Sequence, residues 1–242
     1  MLMTRFAAPP SFEKVRALIF DLDGTLIDSK LDLILSVNAM LGQMGREELH
    51  EDIISGYIGR GAPTLVAKAL GTGATPEECE RGLKYFLTYY EAHKMDNTCL
   101  YPGVADALDR VAHLPMAILT NKPVRVSVRI LKALGLAEKF RAVYGGNSFE
   151  TKKPDPQGAN AILRELNAAP GEAMLIGDSE VDVQTARNAG TFAAIVNYGF
   201  GAYDRAAYPA DVYLDRLPDL APLLHPNGGP AKSKGGNQGK KS

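Results

Sequence analysis

Between Tyr101 and Val196, short apolar runs alternate with stretches of helical periodicity, an alternation that few architectures can satisfy. The runs Met116–Leu119, Ala142–Tyr144, Ala173–Ile176 and Thr191–Val196 are too short for helices. They are rich in branched and small apolar residues, as buried parallel strands are. An earlier run, Val15–Phe20, has the same character, and Asp211–Leu214 reads as an edge strand. Helical patterns cover Val104–Ala112, Val124–Leu134, Pro156–Leu166 and Val181–Ala189. Strand and helix in this order predict a mostly parallel sheet with right-handed crossovers, an α/β core of the Rossmann-like, doubly wound kind.

A helical block with no strand signal interrupts this rhythm from Ser29 to Asp96. Ser29–Met44 places Leu31, Ile34, Leu35, Val37, Leu41 and Met44 close to helical spacing. Pro63–Leu70 and Pro76–Tyr90 continue the pattern. Thr75 is placed as N-cap, with Pro76, Glu77 and Glu78 in the first turn. Tyr85, Tyr89 and Tyr90 read as the packing face of that helix, and Gly56 to Gly61 as a flexible loop between helices. The expected organisation is a discontinuous core, 1–28 and 97–225, with an inserted helical unit at 29–96. A disordered tail is expected at 226–242, which is rich in Gly, Lys, Asn and Ser.

Charge and cysteine content exclude several function classes. The formal net charge of the 242 residues is −1, and the tail carries Lys232, Lys234, Lys240 and Lys241 with no acid. The remainder therefore carries about −5, no footprint for nucleic acid or an anionic membrane. Cys79 and Cys99 are too few for a disulfide framework and lack metal-site spacing. No apolar stretch reaches membrane-span length, and residues 1–14 carry no export signal, so a soluble cytoplasmic protein is expected. His50, His93, His113 and His225 share no motif and are read as surface or packing residues. Monomer and homodimer both remain open.

The chemistry concentrates where strands end. Asp21 and Asp23 close the first apolar run, Thr120 and Asn121 the second, Lys153 follows the third, and Asp178 and Asp182 follow the fourth. In a parallel sheet these ends share one edge, so groups distant in sequence can meet in one pocket. If extended geometry persists, Asp21 and Asp23 point the same way. Gly24 lets the backbone turn close to a ligand. Paired carboxylates can ligate Mg²⁺, attack phosphorus or exchange protons with a leaving group. Taken singly, each cluster has a plain alternative as a helix cap or a solvated turn.

Together, in this order, they resemble the haloacid dehalogenase superfamily, in particular its phosphoglycolate phosphatase-like branch. Asp21 to Ser29 match the first motif, DxDGTLxDS. Thr120 matches the second, Lys153 before Pro154 the third, and Gly177 to Asp182 the fourth, GDSxxD. The resemblance implies a Mg²⁺-dependent phosphatase with Asp21 as nucleophile and Asp23 as acid and base. It implies that the metal is held by Asp21, Asp178 and the Asp23 carbonyl, and that Lys153 balances charge. Thr120, Asn121 and Gly24 would bind the phosphoryl group, and Asp182 would orient the metal shell or Lys153. The block 29–96 resembles the family's α-helical cap, in whose Gly59-Arg60-Gly61 loop Arg60 is the candidate for reading a substrate's distal anion. The expected substrate is a small phosphorylated metabolite, foremost 2-phosphoglycolate. Asp23 argues against a dehalogenase, and Thr25 after Gly24 argues against a sugar phosphomutase. A pyrophosphatase, a nucleotidase, a sugar phosphomutase of the same superfamily or a phosphate-binding module without turnover are the remaining alternatives. Related phosphatases often read Gly-Gly-Asp-Ser where this chain has Gly145-Gly146-Asn147-Ser148, outside the four motifs.

Overall fold

The strand Ala17–Phe20 (β1) is buried at every position and lies in the middle of the sheet. It pairs in parallel with Met116–Leu119 (β4) on one side and Ala173–Gly177 (β6) on the other. We analysed the chain as a computed structural model that describes residues 12–200 and 203–224. The six-stranded sheet runs in the order β5-β4-β1-β6-β7-β8, with β5 at Ala142–Tyr144, β7 at Phe192–Val196 and β8 at Val212–Leu214. Every pairing is parallel, so β1, β4, β5 and β6 all end at the same edge.

Strand alternation divides the core into two layers. Leu18, Phe20, Ile118 and Ile176 face one way, and Ala17, Ile19, Ala117 and Leu175 the other. The second face is alanine-rich, which lets the helices Gln157–Glu165 (α7) and Glu180–Ala189 (α8) pack closely through Ile162, Leu163, Ala186 and Ala189. The first face is covered by Val104–Arg110 (α5), Val124–Ala133 (α6) and the inserted helical block. A final short helix, Leu220–Leu224 (α9), buries Leu220 and Leu224 in the same layer. This is the expected α/β core, with strand and helix ends within a few residues of the sequence-based positions.

The inserted block comprises Lys30–Gln43 (α1), Glu51–Ser55 (α2), Ala62–Leu70 (α3) and Pro76–His93 (α4). Thr75 caps α4 as expected: its hydroxyl accepts from the Glu78 N–H, and the Glu78 carboxylate accepts from the Thr75 N–H. Two features differ from expectation. Leu31 and Leu35 are exposed, because the buried stripe of α1 runs through Leu33, Ile34, Val37, Met40 and Leu41 and carries Asp32 inward. And α2, five residues long, lies where no helix is predicted.

The two connections to the block form a small sheet of their own. Ile27–Asp28 (β2) pairs antiparallel with Cys99–Leu100 (β3). Beside it, the buried Asp32 carboxylate accepts from the backbone N–H groups of Asn97 and Thr98, the Asn97 amide and the Thr98 hydroxyl, all within 3.1 Å. A single side chain in the first turn of α1 thus ties the outgoing connection to the returning one. The expected tail at 226–242 and His225 lie outside the described residues. Among the described residues no helix is long and apolar enough to cross a membrane.

Candidate active site

Asp21, Asp178 and Asp182 come together at the shared strand edge, all buried, each offering an oxygen within 4.8 Å of the others. Asp21 is the first residue after β1, Asp178 the first after β6, and Asp182 lies in the first turn of α8. Space for them comes from missing side chains. Gly24 has φ of +78°, and a Cβ there would lie 2.2 Å from the Asp178 carboxylate. A Cβ on Gly177 would lie 2.1 Å from the Asp182 carboxyl carbon. The Gly24 N–H donates to the Ile27 carbonyl, so Gly24 provides the turn and the room for Asp178 rather than a donor for a ligand.

Lys153 is the cation of this cluster. Its Nζ stands 2.6 Å from Asp182 Oδ1 and 2.9 Å from Asp21 Oδ1, with the side chain buried. Burial works against its charge, but Asp182 and Asp21 outweigh it and hold the ammonium protonated above the usual lysine range. Both oxygens of Asp182 are engaged: Oδ1 by Lys153, and Oδ2 by the Ser179 hydroxyl and the N–H groups of Asp178 and Ser179. Asp182 therefore anchors Lys153 and the start of α8.

Burial pushes the Asp21 carboxyl up to about 6, with Lys153 opposing and Asp182 reinforcing the shift. Asp178 is raised well above the carboxylate range, first by burial and then by Asp182 and Asp21. Three carboxylates against one ammonium leave two negative charges without a partner. That is the charge of one divalent cation, and the donors are hard oxygens, so the residues fit such an ion. Asp21 and Asp178 could offer carboxylate oxygens to it, whereas both oxygens of Asp182 are already bonded. The Asp178 Oδ2 is held by the Phe200 N–H at 2.9 Å, which fixes its direction.

Asp23 belongs to a second cluster. The chain leaves extended geometry after β1, so Asp23 does not reach the site by strand alternation; a turn brings it there, and Asp21 and Asp23 line the same cavity. The Asp23 carboxylate accepts from the Ser29 hydroxyl at 2.6 Å and, through both oxygens, from Lys122 Nζ at 2.9 Å. Lys122 is buried and stands 4.5 Å over the ring of Tyr90, from α4 of the inserted block. Thr120 and Asn121, after β4, line the same cavity. The Asn121 amide donates to the carbonyls of Gly59 and Lys153, joining the inserted block to the lysine loop.

Arg60 does not line this cavity but the neighbouring one, together with Asp23, Asp178 and Glu180. Its guanidinium pairs with Glu180, the first residue of α8, at 2.8 Å, and about half of its side chain is exposed. Its carbonyl accepts from Lys152, so the Gly59-Arg60-Gly61 loop is held to the core by three polar contacts. The Glu180 carboxylate gives this guanidinium a partner within the cavity wall itself. Lys122, Ser29 and Tyr90 are site residues that sequence reasoning did not single out. A signal existed for Lys122, a basic residue directly after Thr120-Asn121; Tyr90 gave none, because an aromatic on an amphipathic helix reads as packing. Asn147 finds a role too: its Oδ1 accepts from the Val124 N–H at the start of α6.

Comparison with known proteins places this geometry. Residues 18–196 match the family model described as haloacid dehalogenase-like hydrolase. The chain is similar to the phosphoglycolate phosphatase of Chromobacterium violaceum, 34% identical over 88% of this chain and 98% of that protein. It is 42% identical to the phosphoglycolate phosphatase of Rhodobacter capsulatus over 76% of this chain and 85% of that one. Among solved structures, a predicted phosphoglycolate phosphatase from Haemophilus somnus superposes with a TM-score of 0.80 at 28% identity, covering 86% of this chain and 96% of the other. The chain belongs to the haloacid dehalogenase-like hydrolases.

Proposed function

We propose that the protein hydrolyses a small phosphoric monoester, foremost 2-phosphoglycolate, with Asp21 as nucleophile and Mg²⁺ as cofactor. The observation that carries this reading is the convergence of Asp21, Lys153, Asp178 and Asp182 beside Asp23. The relatives named as phosphoglycolate phosphatases support the substrate. Asp21 attacks phosphorus in line and forms an aspartyl-phosphate. Asp23 gives a proton to the departing oxygen and takes one from the water that resolves the intermediate. The Thr120 hydroxyl holds a phosphoryl oxygen, and Lys153 offsets the charge of phosphate and nucleophile. Mg²⁺ would be held by Asp21, Asp178 and the Asp23 carbonyl. Bound there, it would cancel the excess negative charge that otherwise repels a phosphate dianion. The helical block 29–96 serves as a lid that excludes water from the pocket.

The test is release of inorganic phosphate from 2-phosphoglycolate with and without Mg²⁺, using the native chain and Asp21→Asn. Magnesium-dependent release that falls by at least about 10³-fold in the variant is expected for loss of a nucleophile. Undiminished turnover by Asp21→Asn would remove Asp21 from the mechanism. Full turnover after rigorous chelation would remove the metal.

A further inference from the structure

We infer that Lys122 and Tyr90 form an anion-reading subsite for a carboxylate on the leaving group, and so select short carboxylated phosphoesters. The inference rests on the phosphatase reading above and deepens it. The cavity is walled on the lid side by Leu33, Ile58, Leu65, Phe86 and Leu87. Among the described residues lining it, Lys122 is the one cation. Tyr90 lines the same cavity, and its buried hydroxyl has no partner at hydrogen-bonding distance among the described residues, with Lys122 as its neighbouring cation. A buried hydroxyl left without a partner costs free energy unless a ligand satisfies it. An ammonium and a hydroxyl that meet beside the apolar lid-side wall are the donors a carboxylate needs.

Their position fixes how far that carboxylate can be from phosphorus. Asp23 stands where the leaving oxygen departs, and Lys122 Nζ is 2.9 Å from the Asp23 carboxylate. A carboxylate one carbon beyond the carbon bearing the ester oxygen lies within reach of that ammonium, as it does in 2-phosphoglycolate. Apart from Tyr90, the lid-side side chains that line the cavity are apolar and give hydroxyl-rich leaving groups such as sugars no further partner. Arg60, paired with Glu180 in a neighbouring cavity, does not line the one that holds Lys122 and Tyr90.

The experiment compares kcat/KM for 2-phosphoglycolate and for ethyl phosphate, which has the same length and no carboxylate. The native protein is expected to prefer 2-phosphoglycolate by about 10²-fold, as a site with dedicated polar groups discriminates against an analogue lacking their partner. Tyr90→Phe removes one oxygen and no packing, and should cut that preference by about 10-fold, mainly through KM. Lys122→Met should cut it further, whatever it does to turnover through Asp23. If Lys122→Met fails to fold, Tyr90→Phe alone decides. A native protein that hydrolyses both esters equally well overturns the subsite and leaves the phosphatase reading intact. Variants that lower both esters by one common factor overturn it likewise. If the native protein hydrolyses neither ester nor p-nitrophenyl phosphate, the phosphatase reading itself fails and the subsite with it.

Discussion

Lys153 has two anionic neighbours and needs both. With its ammonium buried between Asp182 and Asp21, removing either charge leaves a cation short of compensation in a low-dielectric site. Asp182→Asn is therefore expected to destabilise the fold by about 3 kcal/mol, read as a lower melting temperature, and to reduce turnover as Lys153 loses its anchor. An unchanged melting temperature would show that Lys153 finds another partner. Asp23 predicts a leaving-group effect. Asp23→Asn should slow hydrolysis of alkyl phosphates far more than of p-nitrophenyl phosphate, whose leaving group needs no proton. Equal losses in the phosphorylation step would contradict the acid role. The paired acids, Thr120, Lys153 and the acids after β6 were legible because each closes an apolar run, where an α/β sheet gathers its chemistry. Lys122 and Tyr90 were not, since their meaning depends on a contact between residues 32 positions apart and on different units. Arg60 was legible only as a mobile cation; its partner Glu180 is 120 residues away.

Elements carry the second level of the argument. The pair β2–β3 and the Asp32 clasp lock the lid's two connections into one hinge. Asp32→Ala leaves the buried Thr98 donors without an acceptor and turns those of the exposed Asn97 to solvent, at a cost of about 2 kcal/mol. Faster amide hydrogen exchange at Asn97 and Thr98, together with a lower melting temperature, is the expected result. Unchanged protection there would show that the hinge holds without the clasp. On the opposite side of the lid the Arg60–Glu180 pair is partly exposed, and such pairs contribute about 1 kcal/mol at most. Arg60→Ala should accordingly lower kcat/KM by no more than about fivefold, equally for carboxylated and uncharged substrates. Long elements were readable from periodicity. The two-residue strands and the five-residue α2 are too short to show a period, and only tertiary pairing defines them. The stripe of α1 was misread at Leu31 and Leu35 because Asp32, a charged residue, takes an inward position.

At the scale of the whole molecule, the proposed metal would compete with protons for the same carboxylates. Asp21 has its pKa raised in the folded protein, to about 6 against 3.8 for the ordinary group, and Asp178 is raised as well. A raised carboxyl contributes stability that is complete below its unfolded value and is lost as pH climbs through its folded one. The metal-free protein should thus lose stability between about pH 4 and pH 6, and adding Mg²⁺ should restore it. The rise in melting temperature caused by saturating Mg²⁺ is expected to be larger at pH 7.5 than at pH 5. An equal rise at both values, or none, would mean that these carboxylates do not hold the ion. The parallel sheet itself followed from the strand–helix rhythm, whereas the strand order and the closeness of the lid to the core did not, since nothing local encodes them. The small β2–β3 sheet carries one more consequence. Because the chain departs from and returns to the core at paired residues, Ile27 opposite Leu100, the insertion costs the core little closure entropy, whatever its length. To the core, the block is a graft at a single point, which makes it exchangeable for another lid while the nucleophile's strand keeps its neighbours.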